Sequence, residues 1–310
     1  MNLKIKLIIA LQSVTIMGLL GIIMWLVYTQ IPHDAEEASL NVVDGQISAD
    51  YLDEKANYRV TGNKIYLDMP GVGQAWLPVL SDVPACERDP QNYVSRNGQM
   101  FYLQDKKITS ALGIDVSSYQ GSIDWNAVKA AGVDFAFIRC GFRGYGSGEL
   151  VTDTYFAQNL QGAKAAGLKV GCYFYSQAVS KEEAVEEAEL TLSLLGDTEL
   201  EYPVVYDWEM VPDDAARTDS IGVDTLTDCA VAFCDRIRQA GYQPMIYQNK
   251  RLSLLKFDLP RLRDYDFWLA EYGDRATYYY DYRIWQYCSD GHVPGVEGDV
   301  DMNICFAPYT

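Results

Sequence analysis

An irregular (β/α) barrel is the fold the sequence predicts for the C-terminal part of this α/β chain, preceded by a transmembrane helix and a small β-rich module. Three observations carry that expectation. From Ala111 onward, short apolar runs of strand length alternate with helical patterns. Ala-Gly pairs stand where those helices would end, at Ala131-Gly132, Ala166-Gly167 and Ala240-Gly241. Eight candidate strands fit into about 200 residues, most of them crossed by helices. An open doubly wound sheet is the alternative.

Taken in order, Lys4 and Lys6 precede the uncharged run 7–28, and Asp34, Glu36 and Glu37 follow it. About 20 apolar residues cross a bilayer as a helix, and basic flanks stay in the cytoplasm. Residues 1–30 are therefore expected to anchor the chain in the cell membrane in a single pass, with the remainder extracellular. A cleaved signal peptide would release it instead. Residues 31–50 are polar and acidic and read as a linker. In 51–110, two hairpins are expected around Thr61–Lys64 and the Asn97-Gly98 turn. This β-rich module could bind polymer or act as a spacer.

The expected barrel strands within 111–310 are Ala111–Ser117, Phe135–Phe142, Lys169–Ser176, Tyr202–Glu209, Gln243–Asn249, Asp266–Tyr272, Tyr282–Cys288 and Asp299–Phe306. Helical patterns occupy Asp153–Ala166, Lys181–Leu195 and Thr225–Ala240. Little helix separates the last three strands, so the barrel should be irregular.

Acids mark the strand ends. Asp115 closes the first strand, Asp207 and Glu209 the fourth, and Asp301 lies in the last. Strand periodicity puts Asp207 and Glu209 on one face. Two inward carboxylates after the apolar run Tyr202–Tyr206 are costly without a purpose. Glycoside hydrolysis needs such a cluster: one acid kept protonated for the leaving oxygen, others ionised opposite the developing positive charge. Like charges at close quarters push one pKa up. Arg139, alternating with Ile138 and Cys140, is expected either to pair with an interior Asp or to form a surface salt bridge. The loop Gly144–Gly148 has the composition of a mobile flap.

At these residues the chain resembles the lysozymes of glycoside hydrolase family 25. The resemblance lies in Gly113–Gly121 with Ile123-Asp124-Trp125, Phe137-Ile138-Arg139, Gly171–Phe174, Tyr206–Glu209, Ile246-Tyr247, Phe267–Tyr272, Trp285-Gln286-Tyr287 and Val300–Asn303. It runs in order from about 112 to 306 and covers none of 1–110. It implies an irregular (β/α) barrel that cleaves the β-1,4 bond after N-acetylmuramic acid in peptidoglycan. It also implies Glu209 as general acid, with Asp115, Asp207 and Asp301 as supporting carboxylates. Tyr173 and Tyr247 match aromatic positions of the sugar cleft, with Trp268 and Arg139 as further substrate-binding candidates. Phe174 departs from the His often found after that Tyr. The second step is left open between an enzyme nucleophile, a held water and the substrate's own 2-acetamido group.

Composition narrows the field. A net charge of −18 argues against nucleic acid as partner, because phosphate binding needs clustered Lys and Arg. Twenty-three Tyr suit a sugar site, where a ring face packs on an aromatic. No C-x-x-C occurs and only two His are present, so no metal is expected, and with neither a G-x-G-x-x-G nor a P-loop no cofactor is expected. Most of the seven cysteines are expected as buried small hydrophobes. Peptidoglycan glycan strands are the expected partner. The rival readings are a non-catalytic wall-binding or scaffold protein and a glycosidase acting on chitin-type polymers.

Overall fold

Runs that are apolar at nearly every position bury both faces of the main strands from Ala111 onward, and a closed barrel inside a coat is the arrangement that does so. The computed structural model describes residues 60–309 apart from 62, 70–72 and 213. The expected transmembrane run 7–28 and linker 31–50 lie outside the described residues. Among the described residues, no helix is long and apolar enough to cross a membrane.

Two small antiparallel sheets come first. One contains β1 (Val60–Thr61), β2 (Lys64–Met69) and β3 (Gly73–Pro78). The other contains β4 (Tyr93–Arg96), β5 (Gln99–Gln104) and β6 (Lys107–Ile108). Asn97 and Gly98 turn the β4–β5 hairpin with φ of 52° and 78°, the conformation that Asn-Gly favours.

The barrel consists of β7 (Ala111–Val116), β8 (Phe135–Arg143), β10 (Lys169–Ser176), β11 (Val204–Trp208), β12 (Pro244–Asn249), β13 (Asp266–Ala270), β14 (Ile284–Gly291) and β15 (Val300–Cys305). Pairing of β8 with β10 closes it. All neighbours run parallel except β15, which is antiparallel to both β14 and β7. A short β9 (Leu150–Thr152) extends β8 beyond the barrel. The helices are α1 (Trp125–Ala130), α2 (Phe156–Ala165), α3 (Lys181–Leu195), α4 (Val223–Gln239), α5 (Lys250–Lys256) and α6 (Leu259–Leu262). The helices α1, α2 and α4 end on the three expected Ala residues, each followed by a glycine with φ between 79° and 92°.

Alternation sorts the side chains into two layers. Phe135, Phe137, Val205, Met245, Trp268 and Ile284 fill the interior. Ile114, Ile138, Tyr206, Trp208, Ile246 and Leu269 face outward into the coat. Glycine makes room for the interior rings. A Cβ at Gly113 would lie 2.2 Å from the Phe135 ring, and one at Gly171 would lie 2.4 Å from the Phe137 ring. All seven cysteines are free thiols, and six of them are buried.

The helical coat stops at β13. No helix connects β13 to β14 or β14 to β15. Tyr278, Tyr280 and Tyr282 line the first connection, each at most 2% exposed, and Tyr278 stacks on Phe267. The outer face of β14, β15 and β7 is covered by residues 79–108, which pack on the barrel within the compact unit Leu52–Thr310. Tyr93 meets Trp285 edge-on at 5.2 Å, and its hydroxyl bonds that of Tyr282 at 3.0 Å. The Met100 amide donates to the Tyr287 hydroxyl. Arg88 lies between the Tyr282 and Phe306 rings at 4.6 and 4.2 Å and pairs with Asp281.

Met100, 5% exposed, is the apolar plug of this contact. Met100→Ala should cost about 2–5 kcal/mol of stability, measured by urea unfolding. A chain starting at residue 111 should bind a hydrophobic dye through its uncovered β14–β15 face. Equal stability and no dye binding would show that the barrel does not depend on this cover.

Candidate active site

The barrel places its polar residues at one mouth. Asp115 and Asp207 lie near the C-terminal ends of β7 and β11, and Glu209 follows one residue after β11 ends. Asp301 reaches the same mouth by a different route. It is the second residue of β15, and because β15 is reversed, its N-terminal end meets the C-terminal ends of its neighbours. Asp301 pairs in register with Asp115, while Asp207 sits between Tyr175 and Tyr247. Together these residues line a cleft of about 590 Å³. Tyr173, Tyr247, Arg139 and Trp268 line it as well.

Only one of the four acids has its charge answered by neutral donors. Asp115 Oδ2 accepts from Gln286 Nε2 at 2.9 Å and Asn303 Nδ2 at 2.8 Å. Both amides are oriented from behind. Trp268 Nε1 donates to Asn303 Oδ1 at 2.8 Å, and the Tyr247 and Tyr272 hydroxyls donate to Gln286 Oε1 at 2.9 and 3.3 Å. Each amide therefore turns its NH₂ toward Asp115. Burial lifts the Asp115 carboxyl to about 6, and these two bonds limit the rise.

The other acids lack such support. Burial raises Asp207 well above the usual carboxylate range, with the Glu209 and Asp115 charges adding to it and Arg139 opposing. Asp207 Oδ1 is buried with no hydrogen-bond partner. Burial and then the Asp115 charge push Glu209 up to about 7. Burial, Asp115 and Glu209 push Asp301 up to about 8. Burial, with the neighbouring negative charges adding to it, thus favours the protonated forms of Asp207, Glu209 and Asp301 over that of Asp115.

Arg139 pairs with a buried Asp that is not one of the four at the cleft mouth. Its Nε lies 2.9 Å from the buried Asp153, and its NH2 donates to Ser118 Oγ at 3.0 Å. Its guanidinium lies 5.2 Å from the ring of Tyr119, which is 86% exposed. Trp268 is only 1% exposed, stacks on Phe137 and donates its Nε1 to Asn303. Phe174 is buried in the outward layer, away from the acids. Gly144–Gly148 is laced in place rather than free. Gly148 O accepts from Arg143, Tyr145 O accepts from the Arg217 amide, and the Tyr145 hydroxyl donates to Asp214. Among the described residues, no group of three His, Cys, Asp or Glu side chains is arranged to hold a metal ion.

Gln286, Asn303, Tyr175 and Tyr272 were not singled out as site residues from the sequence. A signal was present for the two amides, since each is a polar residue set between apolar neighbours, Trp285 and Tyr287 for Gln286 and Met302 and Ile304 for Asn303.

Comparison with known proteins gives a consistent picture. The family model described as glycosyl hydrolases family 25 matches residues 114–296, more than half of the chain. The chain is 30% identical over 193 residues to the autolytic lysozyme of Clostridium acetobutylicum, covering 62% of this chain and 54% of that protein. Its fold matches the bacterial lysozyme from Streptomyces coelicolor with a TM-score of 0.52 at 27% identity, covering 62% of this chain and 90% of that one. It also matches the modular autolysin LytC from Streptococcus pneumoniae, with a TM-score of 0.56 at 23% identity. That match covers 84% of this chain and 63% of the autolysin. The chain thus spans less than two thirds of the length of the autolytic lysozyme and of LytC.

Ionising Asp207 costs folding energy, and the sign of its raised pKa fixes when. The cost is absent below the unfolded value and grows as pH rises through the folded one. Asp207→Asn should therefore raise the melting temperature at pH 8 and leave it nearly unchanged at pH 3.5. Equal effects at both pH values would mean that the Asp207 charge is not the cause.

Proposed function

The chain belongs to glycosyl hydrolases family 25, and from that premise we propose that it hydrolyses peptidoglycan as a muramidase. The bond cleaved is the β-1,4 link between N-acetylmuramic acid and N-acetylglucosamine. Glu209 is the proton donor, and Asp115, Asp207 and Asp301 are its supporting carboxylates. The observation that carries this reading is the unequal treatment of the acids at one mouth. Asp115 receives two oriented amide donors, whereas Glu209 receives burial and a neighbouring negative charge. The first environment keeps a carboxylate ionised beside developing positive charge, and the second keeps a carboxyl protonated for the leaving oxygen.

Asp207 supports a substrate-assisted second step. Asp207 lines the cleft, where its carboxyl would orient the substrate's 2-acetamido group. Arg139, Tyr173 and Tyr247 line the cleft as substrate-binding side chains, with Trp268 beneath them. The protein would act at the membrane, held through residues 7–28 with the barrel outside. Lys4 and Lys6 before an uncharged run of helix length support that placement.

Glu209→Gln should lower the rate on purified peptidoglycan by roughly 10²–10⁴-fold without changing the melting temperature at pH 6 by more than a few degrees. Mass spectrometry of wild-type products should find N-acetylmuramic acid at the new reducing ends. Reducing-end N-acetylglucosamine would point to a chitinase-like specificity, and no fragments at all would point to a scaffold.

The pH profile follows from the same pair. Activity needs Asp115 ionised, which occurs as pH rises through about 6, and Glu209 protonated, which is lost above about 7. The rate should be bell-shaped with a narrow optimum between these values. A plateau extending to pH 9 would remove Glu209 from the donor role.

A further inference from the structure

We propose that Gln177 and Gln248 are positioning residues for Glu209, clamping the main chain at the point where the sheet no longer holds it. The inference rests on the reading of Glu209 as proton donor and adds how that donor is kept in place.

The sheet releases its hold on the chain just before the acid. Pairing of β11 with β12 ends at Asp207–Tyr247, and pairing with β10 ends at Trp208–Ser176. Glu209 is the first residue beyond the last pair of both, so its carbonyl has no partner in either ladder. Two side-chain amides take over. Gln248 Nε2 donates to Trp208 O at 2.6 Å, and Gln177 Nε2 donates to Glu209 O at 2.9 Å. Both glutamines are fully buried. A carbonyl oxygen only accepts, so each amide must present its NH₂.

Gln177 is itself locked from two directions. Its Oε1 accepts from the Thr218 hydroxyl at 2.6 Å, which sets the amide's orientation. Its main-chain carbonyl accepts from Arg217 NH1, and Arg217 forks onto Glu183 at 2.7 and 2.8 Å. The arrangement ties the end of β10, the loop after Glu209 and the start of α3 to one carbonyl. A buried amide is expensive unless its hydrogen bonds are made. Gln177 uses both ends of its amide, while Gln248 spends its Nε2 on Trp208 O and keeps its Oε1 buried without a partner; the two carbonyls they hold stand on either side of the Glu209 α-carbon. Neither glutamine is among the cleft-lining residues, so both act through Glu209 rather than on substrate.

Displacing a reacting group by about 1 Å can cost on the order of 10²-fold in rate. The test uses the full-length protein in detergent with purified peptidoglycan as the probe, comparing wild type, Gln177→Met, Gln248→Met, Thr218→Val and Glu209→Gln. For Gln177→Met, kcat should fall by roughly 10- to 100-fold with KM within about twofold of wild type. The basic limb of its kcat–pH profile should move to lower pH, because a less confined Glu209 is better solvated. A purely structural role would lower the melting temperature and leave the profile of the remaining folded enzyme unmoved. Wild-type kcat and pH profile in Gln177→Met would overturn the proposal, as would a loss confined to KM. Should Gln177→Met fail to fold, Thr218→Val decides. It keeps the amide but frees its orientation, so a smaller kcat loss with a shifted basic limb supports the clamp and an unchanged enzyme refutes it. Glu209→Gln separates the two readings. If it stays active, the donor assignment falls and the clamp with it. If it is inactive while both glutamine variants behave as wild type, only the clamp falls.

Discussion

One reversed strand sets the terms for the rest of the molecule. Seven barrel strands run the same way, and β15 is inserted against them between β14 and β7. Parallel neighbours need a long crossover, commonly a helix, whereas antiparallel neighbours need only a turn. The reversal therefore removes the helix that would have covered the outside of the sheet here, leaving Trp285, Tyr287, Met302 and Ile304 to be buried by something else. Residues 79–108 supply that cover. The same reversal carries the N-terminal end of β15 to the mouth, setting Asp301 opposite Asp115 and Asn303 within reach of the Asp115 carboxylate. One topological fact thus accounts for a structural dependence outside the barrel and a chemical arrangement inside it.

The interior makes that chemical arrangement selective. Charge is expensive in a space filled by Phe135, Phe137 and Trp268, so each acid at the mouth is ionised only as far as its neighbours allow. The order of support runs upward from the floor. Phe137 stacks on Trp268, Trp268 orients Asn303, and Asn303 with Gln286 holds Asp115. Asp115, more readily ionised for that reason, raises the pKa of Asp207, Glu209 and Asp301 in turn. Packing of aromatic rings and the proton inventory of the cleft are two ends of one chain of contacts.

Much of the barrel was legible because its signals are local. Alternation located all eight strands, the expected helix Lys181–Leu195 matches its observed bounds, and the Ala-Gly pairs marked three helix ends. The acids were legible because a carboxylate after a buried strand is conspicuous. Their helpers were not. Gln177, Gln248 and Gln286 are common residues whose meaning comes from partners 32, 40 and 171 positions away, brought near by barrel closure. Arg139 alternates with apolar neighbours in its strand, but its partner Asp153 precedes α2 and carries no strand-end signal. The hairpin signals in 51–110 identified strands without saying what they rest on, because the complementary apolar face belongs to β14 and β15. The anchor reading concerns residues outside those described.

The glycine-rich loop shows how composition and context can point in opposite directions. Five residues with three glycines suggest freedom, yet Gly148 is used for its φ of 74°. That turn directs its carbonyl to Arg143, which is itself fixed by the buried Glu187 at 2.8 Å. Arg217 then links the Tyr145 carbonyl to Glu183, and Tyr145 reaches across to Asp214 in the segment after Glu209. The loop is thereby joined to the stretch that carries the proposed donor. A wall built this way is preorganised: it lines the cleft without first having to close over it, and the entropy of ordering it is spent in folding rather than in binding. The groove therefore has its wall and its acids in place before anything enters it.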